Sequence, residues 1–238
     1  GRQNIEIKSE IIIDCIKRVS YAIPQQGTNN VITSMCLHAE NGTLDFVGLD
    51  GRMLAWDKVK YNGDFELLIP KDTVDKLKTI GFDGNVKILY NNSEAVFSTA
   101  DFEIYTRLAE GKYFKYKAIF KDMALHTVVS RIELLNALTR SQMCTDEKIP
   151  VYFEFKDNNL KISVNSSSTD YVEVIDVQEP FKKELKIAFD ARLLIKTLKA
   201  MDCYDIGISF ENEKMPIVIE ADDSDFRALI LPIAVERK

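Results

Sequence analysis

Apolar positions along this chain follow a helical period in some segments and a two-residue alternation in others. After an extended stretch at residues 4–8, apolar residues recur every three or four positions from about Ser9 to Tyr21, which predicts an amphipathic helix. The apolar stripe of this helix consists of Ile12, Ile13, Ile16 and Val19. Many of the following segments alternate with a period of two, which is typical of strands with one buried face.

The same order of elements begins again near the middle of the chain. An extended stretch at residues 124–129 leads into another predicted helix, which starts at Ser130. Glu133 stands at capping-box spacing from Ser130, and the apolar stripe is marked by Leu134, Leu135 and Leu138. The repeat predicts two similar halves of about 115 to 120 residues each.

Each opening helix is followed by a predicted hairpin, with a turn at Asn41-Gly42 in the first half and at Asp157-Asn158-Asn159 in the second. A further helix is predicted in each half, at residues 73–80 and 191–201. Alternating strands follow it, at residues 85–90, 95–99 and 103–108 and at residues 205–211, 216–221 and 226–232. Two helices and about eight strands per half predict an α+β fold whose helices share one side of curved antiparallel sheets. Residues 112–122, rich in charge and aromatic rings, are the predicted connector.

The composition fits a globular protein of one large domain or two ordinary ones. The 238 residues are 46% hydrophobic and 29% charged, which allows a substantial core. No apolar run approaches the roughly 18 residues needed to cross a bilayer, and the polar residues 1–10 do not resemble a signal peptide, so a cytoplasmic protein is expected. The formal net charge of −6 argues against a protein that coats nucleic acid with its whole surface, but it allows one local basic face.

The spacing of cysteines and histidines along the sequence gives no indication of a metal site. Both histidines, His38 and His126, lie in extended, apolar-alternating stretches without another ligand at metal-binding spacing. The four cysteines are far apart, which indicates neither a zinc ribbon nor a dense disulfide framework. They are Cys15, Cys36, Cys144 and Cys203.

Catalytic motifs are also missing from the sequence. It contains no G-x-S-x-G elbow, no P-loop and no dinucleotide fingerprint after a strand. The acidic segment Asp222-Asp223-Ser224-Asp225 lacks the glycine and distal glutamate of a calcium loop and stands where the repeat predicts a hairpin turn. We therefore expect no enzymatic activity, no cofactor and no metal.

Five short segments in order along the chain carry a resemblance to a known family. They are VGLDGRMLA at residues 47–55, LAEGKYFKY at 108–116, RSQMCTDEK at 140–148, KIAFD at 186–190 and LILPI at 229–233. They resemble, in the same order, ATDGHRLA, L(I/V)(D/E)GKFPDY, RASLLANEK, IGFN and VVMPM of the bacterial sliding clamp, the beta subunit of DNA polymerase III. The sequence departs from these motifs at Arg52-Met53, Phe114 and Ala234, which affects positions expected to bind partners.

The resemblance implies an α+β fold made of two tandem DNA-clamp domains, each with two helices packed on curved antiparallel β-sheets. Residues 1–120 resemble the second domain of the family and residues 121–238 the third. Because the family has three such domains, the chain is expected to be either part of a longer protein or an unusual two-domain clamp. With no first domain to complete the ring, the chain alone is expected to be monomeric or weakly associated.

A sliding clamp encircles duplex DNA and holds a polymerase on it, so its inner wall needs positive charge that attracts phosphates without reading sequence. The family places its helices on this wall. The resemblance implies DNA-facing roles for Lys17, Arg18, Lys71, Lys76, Lys78, Arg131, Arg140, Arg192, Lys196 and Lys199. The alternative for each is the solvated face of an amphipathic helix.

The family also has a groove in which polymerase, clamp loader and repair proteins dock linear peptides. The lining expected here is Ile32, Leu49, Gly51, Arg52, Met53 and Leu54, then Phe114, Ala118 and Ile119, then Leu193, Pro216, Leu229, Leu231, Pro232 and Ile233. For the last strand, alternating core positions are the alternative. Met143 and Cys144 fall where the family's ring seam is apolar, which implies self-association into a ring in the full-length protein.

Two other functions stay open on sequence grounds. A clamp-like scaffold could bind partners without encircling DNA, although a higher density of basic residues on the helices than on the strands favours the clamp. A metal-dependent hydrolase could use Asp222, Asp223 and Asp225, and it would show metal-dependent stability.

Overall fold

The computed structural model describes residues 3–80, 82–120, 123–143, 149–166 and 170–234. The chain divides into two compact units, Gly1–Tyr116 (unit 1) and Lys117–Lys238 (unit 2). Each unit combines two α-helices with antiparallel strands, which confirms the predicted α+β class. Within these described ranges, no helix is both long enough and apolar enough to cross a membrane.

Unit 1 follows the predicted order of helices and strands. Its elements are β1 (Gln3–Lys8), α1 (Ser9–Val19), β2 (Ser34–Glu40), β3 (Thr43–Leu49), β4 (Met53–Lys60), β5 (Phe65–Pro70), α2 (Lys71–Ile80), β6 (Asn85–Tyr90), β7 (Glu94–Ser98) and β8 (Glu103–Arg107). Strands β1, β6, β7 and β8 pair in that order, and β5, β2, β3 and β4 pair in that order. The predicted turn at Asn41-Gly42 joins β2 to β3 with φ values of 53° and 82°, a backbone that favours these two residue types.

Unit 2 repeats this order with longer strands in its middle. Its elements are β9 (Leu125–Ser130), α3 (Arg131–Met143), β10 (Val151–Asn165), β11 (Asp170–Phe189), α4 (Ala191–Lys199), β12 (Asp205–Phe210), β13 (Ile217–Ala221) and β14 (Arg227–Ile230). Strands β9, β12, β13 and β14 pair in that order, and β10 pairs with β11. The two long strands stand where unit 1 has β2 to β5.

Strand β10 folds back on itself at the predicted turn. Glu154 and Lys161 form an ion pair with 3.0 Å between Oε2 and Nζ, although seven residues of straight strand would separate them by about 23 Å. Asp157 lies between them with φ of 50°, and the register with β11 shifts on both sides of it. The other carboxylate oxygen of Glu154 lies 2.7 Å from Nζ of Lys186 on β11. The Glu154 side chain therefore links both halves of β10 to β11.

This arrangement predicts a pH-dependent contribution to stability. The hydrogen bond from Lys186, followed by that from Lys161, lowers the pKa of Glu154 although burial opposes this. Its stabilisation is present above the unfolded pKa of about 4.3 and is lost as pH falls through the lower folded value. Urea unfolding between pH 3 and 7 should show less acid destabilisation in Glu154→Gln, by under about 1 kcal/mol, than in the wild type. Glu184→Gln is the control, because Glu184 makes an exposed ion pair with Lys156; equal pH profiles for all three proteins would contradict the prediction.

The apolar stripes predicted for α1 and α3 face the core, apart from one residue in each helix. Ile12, Ile16 and Val19 of α1 are buried as predicted, whereas Ile13 is half-buried and Cys15 takes the remaining core position. In α3, Leu134 and Leu138 are buried with Ala137 and Ser141, and Leu135 is half-buried. The difference follows from geometry: residues at i, i+3, i+4 and i+7 share one helical face, and small residues at these spacings are buried with it.

Polar side chains mark where the unit 2 helices begin. The Ser130 hydroxyl accepts a hydrogen bond from the Glu133 backbone N–H at 3.4 Å, as the capping-box spacing predicted. Asp190 caps α4 by accepting from the Arg192 backbone N–H at 3.0 Å. These caps fix the first turns of α3 and α4, from which several of the predicted functional side chains project.

Candidate functional site

All ten basic residues expected to face DNA lie on the four helices, but their side chains have different surroundings. They are Lys17 and Arg18 on α1, Lys71, Lys76 and Lys78 on α2, Arg131 and Arg140 on α3, and Arg192, Lys196 and Lys199 on α4. The arginines and Lys71 contact acceptors of their own unit. Most of the other lysines extend into solvent.

Arg18 is held by a buried carboxylate. Its Nε lies 2.6 Å from Oδ2 of Asp57 on β4, and the Asp57 side chain is 2% exposed. Burial works against the charge of Arg18, but the attraction and hydrogen bond of Asp57 outweigh it and raise the pKa of the guanidinium. Asp57 also accepts from the Lys58 backbone N–H at 2.9 Å. Arg18 therefore joins α1 to its sheet as a cation with little freedom to reach a phosphate.

Arg131 donates hydrogen bonds to backbone carbonyls near the end of α4. Its Nε donates to the Cys203 carbonyl at 2.6 Å and its Nη1 to the Leu198 carbonyl at 3.2 Å. Both carbonyls lie at or just beyond the C-terminal end of α4, where backbone acceptors lack partners within the helix and a positive charge is favourable. This guanidinium satisfies backbone groups of unit 2.

Arg140, Arg192 and Lys71 are paired with carboxylates. Two nitrogens of Arg140 contact the two oxygens of Glu173, one at 3.0 Å, and the hydrogen bond from Arg140 is the main cause that lowers the pKa of Glu173. Arg192 makes two bonds to Asp190, at 2.9 and 2.8 Å. Lys71 is bonded to Asp75, one helical turn further along α2. Paired charges of this kind attract phosphate less than isolated ones.

Five lysines keep most of their charge available to solvent. Lys76, Lys196 and Lys199 are exposed and form no hydrogen bond or ion pair within the described ranges. Lys17 lies 4.0 Å from Asp14, and Lys78 donates to the Ser20 hydroxyl at 3.4 Å. These five residues, which we call the open lysines, occur on helices of both units.

The unit 1 residues expected to bind peptide surround the turn between β3 and β4. Asp50 Oδ1 accepts from the backbone N–H groups of Arg52 and Met53 at 2.9 and 3.0 Å, and Gly51 has φ of 84°. Asp-Gly is a residue pair that favours a tight turn of this kind. Gly51 and Arg52 are exposed, whereas Met53 and Leu54 are each 4% exposed and pack in the core.

Other expected lining residues of unit 1 offer apolar surface. Ile32 and Leu49 are half-buried, and Phe114 is 55% exposed. The neighbouring tyrosines anchor this part of the chain on the sheet: Tyr113 donates to the Val47 carbonyl at 3.2 Å and Tyr116 to the buried Asp45 at 2.6 Å. Phe114 is thus presented to solvent between two fixed side chains.

In unit 2 the exposed apolar residues follow the last strand. Leu231 is 40% and Ile233 39% exposed, and the Ile233 backbone N–H donates to the Ala188 carbonyl at 2.8 Å, which fixes the segment beside the end of β11. Pro216, Pro232 and Ile119 are half-buried and Ala118 is exposed. Leu193 and Leu229 are 4% and 5% exposed, so they pack in the core.

Large apolar side chains are also exposed on α3 and on β11. Met143, the last residue of the helix, is 82% exposed. Val172 and Val174 of β11 are 58% and 54% exposed. Cys144, expected with Met143 at the ring seam, lies outside the described residues.

Family comparisons identify both units. The model for the C-terminal domain of the DNA polymerase III beta subunit matches residues 117–234, and the model for its central domain matches residues 6–115. This chain belongs to the DNA polymerase III beta subunit family. The order of the two matches is the order that the sequence motifs implied.

Individual members of the beta subunit family resemble the chain over nearly its whole length. The beta sliding clamp of Streptococcus pneumoniae serotype 4 is 26% identical over 246 residues, covering 95% of this chain and 63% of that protein. The clamp of Pseudomonas aeruginosa is 24% identical, covering 98% and 66%. A crystal structure of a putative beta subunit from Eubacterium rectale has a TM-score of 0.91 at 24% identity, covering 97% of this chain and 65% of that one. The chain thus spans somewhat less than two thirds of the S. pneumoniae clamp.

Sequence reasoning did not find the acidic partners of the basic residues in this beta subunit homologue. Asp75 stands four residues after Lys71 and Asp190 two residues before Arg192, so local spacing contained a signal for both. Asp57 and Glu173 are separated from their arginines by 39 and 33 residues and meet them only through the fold. Both histidines contact hydroxyl groups: His38 lies 3.3 Å from the Tyr116 oxygen and His126 2.9 Å from the Ser209 oxygen.

Proposed function

We propose that the chain provides two clamp domains of a sliding-clamp processivity factor, one in each unit, which surrounds duplex DNA and tethers the replicative polymerase through a peptide-binding groove. The match of both units to consecutive domains of the beta subunit supports this proposal most strongly. The role is mechanical and involves no catalysis. It places the protein on DNA in the cytoplasm, associated with the nucleoid.

Contact with DNA is assigned to the open lysines. A ring that slides must hold the phosphates by charge and without sequence-specific contacts, and exposed ammonium groups on flexible stems provide this. Lys17, Lys76, Lys78, Lys196 and Lys199 meet that requirement. The other five basic residues make contacts within their own unit that hold the helices carrying the open lysines. They are Arg18, Arg131, Arg140, Arg192 and Lys71.

Contact with partner peptides is assigned to the accessible members of the predicted lining. In unit 2 these are Leu231 and Ile233, two aliphatic side chains on a segment fixed by the bond to Ala188. In unit 1 Phe114 offers an aromatic ring and Arg52 a charge at the tight turn. Polymerase, clamp loader and repair proteins with short apolar motifs are the proposed ligands. Met143, which is 82% exposed, is proposed as part of the seam through which clamp subunits form a ring.

The peptide groove can be tested with one substitution and one matched control. A synthetic peptide with the C-terminal sequence of a bacterial DNA polymerase III catalytic subunit should bind the wild type, and Leu231→Ala should bind it about tenfold more weakly, because an exposed aliphatic anchor is lost. Fluorescence anisotropy of the labelled peptide measures both affinities. Ile132→Ala removes an aliphatic side chain of α3 that is 50% exposed and should leave affinity unchanged. If the wild type does not bind, or both variants weaken binding equally, Leu231 is not part of a groove.

A further inference from the structure

A buried thiol lies beside two carboxylates at one end of the unit 2 sheet. Strand β12 pairs with β13 so that Ile206 is opposite Ala221, which brings the residues before β12 next to the turn after β13. The ligand atoms of Cys203, Asp222 and Asp223 all lie within 4.8 Å of one another. Cys203 is 3% exposed and its thiol is free, whereas both aspartates are exposed.

The turn itself is the hairpin that the sequence predicted, but its acidic residues are not equivalent. The Ala221 backbone N–H donates to the Phe226 carbonyl at 3.2 Å and closes the turn, which confirms the turn interpretation of Asp222-Asp223-Ser224-Asp225. Asp222 and Asp223 belong to the cluster with Cys203, and Asp225 does not. The fold therefore selects two of three neighbouring carboxylates.

We propose that Cys203, Asp222 and Asp223 bind a thiophilic divalent cation, with Zn²⁺ as the expected ion. Three atoms within 4.8 Å of one another allow a point at most roughly 2.8 Å from each, and zinc needs about 2.3 Å to sulfur and 2.0–2.2 Å to carboxylate oxygen. Small side-chain rotations close this difference. A water molecule would complete four-coordination. Ca²⁺ and Mg²⁺ do not fit, because they take oxygen ligands.

The surroundings of Cys203 favour a ligand over a simple core thiol. The backbone N–H of Asp222 favours the ionised thiol and acts to lower its pKa. Within the described part of the chain, the thiol hydrogen has no acceptor, although the side chain is more than nine-tenths buried. Burial raises the pKa of the thiol, and the charges of Asp223 and Asp222 add to this effect. A cation removes that conflict by attracting all three groups.

Binding requires no redox chemistry. The S–H bond of Cys203 breaks, its electron pair forms the metal–sulfur bond, and the proton leaves to solvent, while the two carboxylates bind in their ionised form. Affinity should consequently rise with pH. The site is at the opposite end of β13 and β14 from Pro216 and Leu231, so it is separate from the proposed peptide surface of unit 2.

Cadmium is a direct probe, because a Cd²⁺–thiolate bond has an ultraviolet charge-transfer band. Titrating the full chain with Cd²⁺ should produce this band and saturate at one ion per chain for the wild type. Cys203→Ser should lose the band. Asp222→Asn and Asp223→Asn should each keep it but weaken binding at least about tenfold, because one ligand is removed. Asp225→Asn, which removes the same charge from the same turn, should match the wild type.

A second measurement uses Zn²⁺ and the thermal unfolding midpoint. Zn²⁺ should raise the midpoint of the wild type and of Asp225→Asn but not that of Cys203→Ser. The aspartate variants lie in an exposed turn and keep the test valid if Cys203→Ser fails to fold. A band that persists in Cys203→Ser, equal weakening by all three aspartate variants, or no saturable band in the wild type would overturn the proposal. Peptide affinity should be unchanged throughout, so this result is independent of the clamp function.

Discussion

Replacing Lys76, Lys196 and Lys199 together with glutamine should weaken binding of the chain to duplex DNA on the order of a hundredfold at low salt. Each lysine that neutralises a phosphate releases condensed counterions and contributes about 0.9 to the slope of log affinity against log salt concentration. Loss of three contacts should therefore reduce that slope by roughly 2.7. These three lysines have the least competition from their own chain, because their ammonium groups meet no carboxylate in the described ranges.

The measurement is anisotropy of a labelled duplex over a series of salt concentrations, repeated with an unrelated duplex sequence. A matched control exchanges three exposed lysines that lie off the helices, Lys60, Lys87 and Lys112, for glutamine and so changes net charge by the same amount. The control should keep the wild-type slope. If both triple variants reduce the slope equally, DNA is attracted by the charge of the whole protein surface and not by the helices. If the wild type shows no salt-sensitive binding, the helices do not contact phosphates.

The same comparison bears on the non-encircling scaffold. A scaffold that does not contact DNA would bind peptide normally and show no difference between the two triple variants. A clamp should show independent losses, with the lysine variant affecting DNA alone and Leu231→Ala affecting peptide alone. The two surfaces use different residues and different physical forces, so separate defects are expected of a tether.

The repeat and the class of fold were predictable because they depend on local patterns. Hairpin turns need positive φ, which Asn41-Gly42 and Asp50-Gly51 provide, and the stripes of α1 and α3 follow helical spacing. The extent of β10 was less predictable. Asp157, with its positive φ, reverses the chain in the middle of β10. The reversal is stabilised by Lys186, which is distant in sequence.

For the functional residues, the helix or strand on which each lies could be predicted from the sequence, but its hydrogen-bond and ion-pair partners could not. Residue type and the family resemblance placed ten basic side chains on helices, and the structure has all ten there. The sequence could not distinguish Arg131, which donates to carbonyls near the end of α4, from Lys196, which extends into solvent. The difference depends on residues that are distant in sequence and become neighbours only in the folded chain. Met53 and Leu229 matched groove motifs but pack in the core, since one motif contains both inward and outward positions.

Arg18→Met should lower the free energy of unfolding by roughly 3 kcal/mol, because it leaves the Asp57 carboxylate buried without its cation. The Asp57 side chain is 2% exposed and its Oδ2 lies 2.6 Å from Arg18 Nε, so water cannot readily replace the lost partner. Methionine retains most of the aliphatic volume, which limits the effect to charge and hydrogen bonding. Urea unfolding monitored by circular dichroism measures the change.

Two further variants separate pairing from helix charge. Lys17→Met removes the adjacent, solvent-exposed charge of α1 and should change stability by less than about 0.5 kcal/mol. Combining Arg18→Met with Asp57→Leu removes both buried charges and should recover much of the loss, because the cost of an isolated carboxylate disappears. If Arg18→Met were as stable as Lys17→Met, Arg18 would be a solvated residue able to turn toward DNA, and it would have to be added to the proposed phosphate contacts.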